Sequence, residues 1–194
     1  MRPRNRVTLA ARGIMLITAI VAAGATVAAQ QQQVNQKSAV IAGFQKRVAS
    51  YMKLHNAAAR QLPSLKSKAS SGEITRYQHA LASRIVASRP HAVQGEIFTP
   101  PIAAEFRRLI RTAMTGSSAH RIRSSLQRGA PARSRIEINH PYPAMAPVET
   151  TPPSLLLNLP KLPAELEYRV VQHDLVLHDV KANLVVDYVP GAIR

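Results

Sequence analysis

The sequence predicts an α+β protein: N-terminal amphipathic helices forming a two- to three-helix body, a proline-rich linker, and a short antiparallel β-hairpin at the C-terminus. Three observations carry this reading. Apolar residues recur in a 3-4-3-4 rhythm from Val34 to Leu62, which marks one face of a helix. Eight of the fourteen prolines fall between Thr115 and Pro163, where neither helical nor strand periodicity holds. From Leu166 onward, short alternating and β-branched runs replace the helical pattern.

Residues 1–29 are expected to be a signal peptide. Arg2, Arg4, Arg6 and Arg12 precede an apolar run that starts at Gly13 and closes on Gly24-Ala25-Thr26-Val27-Ala28-Ala29. A basic start, a short apolar stretch and small residues at a cut are the parts of a secretory signal, and Val27 and Ala29 place the cut before Gln30. The alternative is an uncleaved inner-membrane anchor facing the periplasm. A spanning helix requires about 20 predominantly apolar residues, whereas this run is shorter and interrupted by Thr18, Gly24 and Thr26. Positive charge ahead of the apolar run holds that end inside, so both readings put the remainder in the periplasm or outside the cell. No Arg-Arg pair precedes the run, and no Cys offers a site for a lipid.

The helical region covers residues 30–114. Gln30 to Gln33 reads as a frayed polar leader, and the first helix runs from about Val34 to Gln61, before Pro63. Its apolar face carries Val34, Ile41, Phe44, Val48, Tyr51, Ala58 and Leu62, with His55 on the same seam; Lys46, Arg47, Lys53 and Arg60 fall largely on the wet side. Ser70 followed by Glu73 reads as a capping box opening a second helix that ends by Arg89, ahead of Pro90, with Ile74, Tyr77, Leu81 and Ile85 inward. Thr99 and Pro100 open a third helix lasting to about Met114, lined by Ile102, Phe106, Leu109 and Ile110 and stopped by Gly116.

Residues 115–163 are expected to form the linker, partly extended and partly disordered. Leu155-Leu156-Leu157 is the exception, a short apolar anchor on the body. In residues 164–194, Leu166–Val170, Leu175–Leu177 and Leu184–Val189 supply two or three short strands, with Gln172-His173-Asp174 and Lys181-Ala182-Asn183 as turns. A lone hairpin is marginal in water, so the strands are expected against the helices or a partner.

Cysteine and tryptophan are absent. An exported chain of this kind has no disulfides, and three phenylalanines with five tyrosines predict a modest core. The net charge of +16 is unevenly distributed. No Asp or Glu occurs from Gln30 to Gly72, and Arg121, Arg123, Arg128, Arg133 and Arg135 stand without acids between Met114 and Arg135. Such asymmetry points to an anionic envelope surface or an acidic protein partner, or to a simply solvated basic face. Export argues against nucleic acid.

Recognisable chemistry is scarce. His173-Asp174 and His178-Asp179 suggest a metal site, but residues five apart on a strand face opposite ways, and Asp174 and His178 stand ~13 Å apart along it at about 3.3 Å per residue. Ser50-Tyr51-Met52-Lys53 matches Ser-x-x-Lys without the companion motifs of penicillin-recognising enzymes. Glu96 and Glu105 could pair, although helix-start acids are explained by the helix dipole. No metal and no small-molecule cofactor is expected, and no catalytic residue can be assigned.

Gly95-Glu96-Ile97-Phe98-Thr99-Pro100 with Phe106-Arg107-Arg108-Leu109-Ile110, and Leu162–Arg169 with Asp179 and Ala182-Asn183-Leu184-Val185-Val186-Asp187, resemble a family of small exported bacterial proteins with no established activity. In that family a Gly tends to occupy the first strand turn, where this chain has Gln172, which puts a tight two-residue turn in question. The resemblance brings no catalytic residue. The expected role is a non-catalytic envelope-associated binding or structural protein whose basic face, Lys46, Arg47, Lys53 and Arg60, meets anionic partners. The alternatives are a periplasmic hydrolase of envelope polymers, using some of His173, Asp174, His178 and Asp179, and a nucleic-acid-binding protein.

Overall fold

A computed structural model describes residues 14–115, 119–120, 124, 135–142, 151 and 153–193, with side chains described from residue 31, those of 153 and 154 excepted. The helices with described bounds are α1 (Ile14–Ala59), α2 (Ser71–Ser88), α3 (Pro100–Thr115) and a short helical turn, α4 (Pro153–Leu156). A three-stranded antiparallel sheet ends the chain, β1 (Leu166–Val171), β2 (Asp174–Asp179) and β3 (Leu184–Val189), in the order β1-β2-β3. The α+β class stands, and of the two or three strands expected after Leu166 the structure has three, in a meander. The predicted Gly116 stop and the arginines from Arg121 to Arg133 lie outside the described residues.

The chain divides into two compact units, Met1–Ala39 and Val40–Arg194. In the first, α1 is already helical from Ile14, so the frayed leader expected at Gln30 to Gln33 is instead part of the helix. Alanine and glutamine are good helix formers, and no proline interrupts the stretch. Gln31 Nε2 donates to Asn35 Oδ1 one turn on, at 3.5 Å. Among the described residues no helix is long and apolar enough to cross a membrane.

In the second unit the predicted seam of α1 is buried through Phe44, Val48, Tyr51, His55 and Ala58. α2 opens with the predicted capping box: Ser70 Oγ accepts from Glu73 N, and Glu73 Oε2 accepts from Ser70 N at 2.7 Å. Those bonds hold the exposed Glu73 carboxyl below its ordinary pKa. Leu81 and Ile85 face inward from α2; Ile102, Phe106 and Ile110 do so from α3. Phe44, Phe98 and Phe106 meet with ring centroids 4.8 to 5.6 Å apart, each pair adding about 0.5–1.5 kcal/mol beyond its area.

Strand alternation divides the sheet between two layers. Leu166, Tyr168, Leu175, Leu177, Leu184, Val186 and Val189 join the helical core. Val171, Val176 and Val185 face outward, where Ile136, Ile138, Tyr142 and Tyr188 cover them. The covering segment also bonds along β3: Asn139 N donates to Val185 O, Val185 N to His140 O, and Tyr142 N to Asn183 O. Leu155 of the predicted anchor is fully buried, whereas Leu157 is 87% exposed.

Two local features shape the sheet. The register slips between Leu177 and His178, which pair with Asp187 and Val185. The extra residue, Val186, makes a bulge that lets Val186 and Asp187 both face the helices. The β1–β2 turn is a two-residue turn after all, because Val171 pairs with Asp174. Gln172 occupies the left-handed region there, at φ 57°, where a glycine would be unstrained.

Candidate functional site

Lys46, Lys53 and Arg60 recur every seven residues, so they drift by only ~20° per step and form one exposed stripe along the end of α1 and the residue that follows it. Arg47 is exposed as well but is tied to the body: its guanidinium donates to the Glu96 carbonyl at 2.6 Å. Ser50 Oγ donates to Lys46 O, an ordinary backbone bond one turn back, which occupies the hydroxyl of the Ser-x-x-Lys match.

Beside this stripe runs a groove of about 430 Å³. Its helix side extends from Phe44 to Asn56, and Lys161 and Pro163, leading into β1, form the facing wall. Val48, Ala49 and Met52 give the helix side its apolar lining; the charges of the lining are Lys53 and Lys161. Lys161 carried no sequence signal, because it sits in the aperiodic proline-rich stretch.

Acids are used differently from bases. Glu149 lies outside the described residues; of the other nine acids, eight are held by the chain itself. Glu73 is held by Ser70, Glu96 by Arg89, Glu105 by Arg108, Glu137 by Arg135 and Glu167 by Arg169. Asp174 accepts from Gly191 N. Fully buried Asp187 accepts from four backbone amides, those of Gly95, Ile97, Phe98 and Tyr188. Among the described residues every ion pair uses Arg or His and none uses Lys.

Asp179 anchors a second buried node. Its Oδ2 accepts from Tyr51 OH at 2.6 Å and lies 2.7 Å from His55 Nδ1, while its Oδ1 accepts from Lys181 N and Ala182 N. Burial pushes this carboxyl up, but the His55 and Tyr51 bonds bring it below the ordinary carboxylate range. Burial, then the Asp179 charge, pushes the Tyr51 phenol up. The Arg89 guanidinium lies 5.4 Å from the Tyr51 ring centroid. A His–Asp pair is also the base-and-orienter unit of nucleophilic catalysis. Among the described residues no hydroxyl is bonded to the other ring nitrogen of His55.

The four residues of the hydrolase alternative do not come together. His173 is exposed in the turn, and Asp174 serves the C-terminal segment. Asp179 faces α1. His178 is buried on the outer layer, its Nδ1 2.9 Å from Glu167 Oε1 and its Nε2 3.1 Å from Asn183 Oδ1. Glu96 and Glu105 each pair with a separate arginine. Among the described residues no group of three or more His, Asp or Glu side chains is placed to hold a metal ion.

The Asp179 node escaped sequence reading because its partners are more than a hundred residues apart. A signal existed in His55, since a polar ring on an apolar seam requires a bonding partner. No protein-family model, curated protein or solved structure matches the chain.

Proposed function

We propose that the chain is an exported, non-catalytic binding protein of the bacterial envelope that meets anionic surfaces through the basic stripe of α1. One observation supports this above the others: eight of the nine described acids are held in internal bonds, while the lysines take no ion pair among the described residues. A surface arranged this way presents uncompensated positive charge, which attracts anionic head groups by about 1 kcal/mol per cation near the membrane and is screened over about 8–10 Å by physiological salt.

Sedimentation with phosphatidylglycerol vesicles across a salt series tests the reading. Wild-type chain binds at low salt and is released as salt rises. Lys46→Glu, Lys53→Glu and Arg60→Glu combined weaken binding roughly a hundredfold and flatten the salt dependence; Arg47 is left alone because its bond to Glu96 O is structural. Binding indifferent to both salt and charge reversal would sink the proposal. Export is tested by intact mass: periplasmic protein begins at Gln30, and full-length chain confined to the cytoplasm contradicts it.

A further inference from the structure

We infer that the groove beside α1 is a binding site for a single-chain anionic amphiphile, an alkyl chain ending in a phosphate or carboxylate. This rests on the envelope-surface reading above and names the ligand class that one part of that surface takes.

The groove's volume of about 430 Å³ falls among small-molecule sites, which span roughly 300–1,000 Å³. Its shape is elongated. From Phe44 to Asn56 the lining follows α1 for about 18 Å at 1.5 Å per residue. A compact anion would leave that length empty, whereas an extended alkyl chain follows it. Val48, Ala49, Met52 and Pro163 provide the apolar surface, and the unbranched Met52 thioether adapts to a flexible chain. Lys53 from the helix and Lys161 from the facing wall are the lining's two charges, both positive and neither in an ion pair among the described residues. A trough whose apolar residues are flanked by Gln45, Asn56 and two cations, with no carboxylate, complements an alkyl chain with an anionic head.

The probe is dodecyl phosphate, titrated calorimetrically into the full chain below its micelle concentration. Saturable binding of one molecule per chain is expected. Lys161→Glu, which lies off the α1 stripe, weakens it at least about tenfold. Ala49→Trp, at an exposed groove position, abolishes it by filling the trough. Lys46→Glu with Arg60→Glu, outside the groove lining, weakens vesicle adsorption and leaves dodecyl phosphate binding unchanged. Binding that ignores both Lys161→Glu and Ala49→Trp, or that is absent, overturns the assignment. Salt-sensitive vesicle adsorption without dodecyl phosphate binding overturns the groove alone and leaves the surface reading standing; loss of both removes both. Thermal melts check that the variants fold, and Lys161→Glu, an exposed change, carries the test if Ala49→Trp does not.

Discussion

The carboxylate of Asp179 lies 2.7 Å from His55 Nδ1, joining two residues 124 apart in sequence. With Tyr51 on the same oxygen and two turn amides on the other, one side chain fixes the β2–β3 turn against α1. Removing it leaves four donors without their acceptor at once.

Asp179→Ala is therefore expected to cost about 1–3 kcal/mol for each donor that water cannot reach, read as a lower urea midpoint with an unchanged slope. The pH dependence follows from the downward shift of this carboxyl. A folded pKa below the unfolded value of about 3.9 means that the unfolded chain binds more protons in that region. The stabilisation is complete above the unfolded pKa and disappears as pH falls through the folded one. Asp179→Asn should flatten this acid limb; an acid limb identical to wild type would show that other carboxylates carry it.

Asp187 performs the corresponding task for the turn entering α3. Asp187→Ala leaves the amides of Gly95, Ile97 and Phe98 without their acceptor, at about 1–3 kcal/mol for each amide that water cannot reach. Hydrogen exchange of the Ile97 and Phe98 amides should accelerate more than that of the α2 amides. Equal acceleration throughout would indicate global destabilisation without a local role.

Gln172 predicts a gain. Its φ of 57° costs an L-residue about 1–2 kcal/mol relative to the right-handed region, and Gly escapes this while losing more entropy on folding. Gln172→Gly should raise stability by roughly 0.5–1 kcal/mol, seen as a higher melting temperature. A lower one would mean that the Gln172 side chain contributes more than its backbone costs.

Local signals were legible. The capping box at Ser70 and Glu73, the proline start of α3 and the seam from Phe44 to Ala58 all depend on residues within a few turns of each other. The limits came where the deciding partner was distant. Nothing near Val186 announces a bulge, because the slip is defined by β2. Ile136, Ile138 and Tyr142 fall on alternate residues, but so short a run set among prolines does not announce a covering layer, because it answers to valines on three strands. The stripe of Lys46, Lys53 and Arg60 was readable from spacing, yet the groove beside it required Lys161 from across the fold. Arg47 looked like its neighbours until Glu96 O was placed against it.

The backbone bonds of residues 139–142 along β3 carry a kinetic consequence. An open strand edge is a template for another molecule's strand, and a chain with no cysteine has no covalent lock against exchange. By occupying the start of that edge, at Asn183 and Val185, residues Asn139, His140 and Tyr142 act as a guard against self-association; unzipping them would make aggregation depend on concentration.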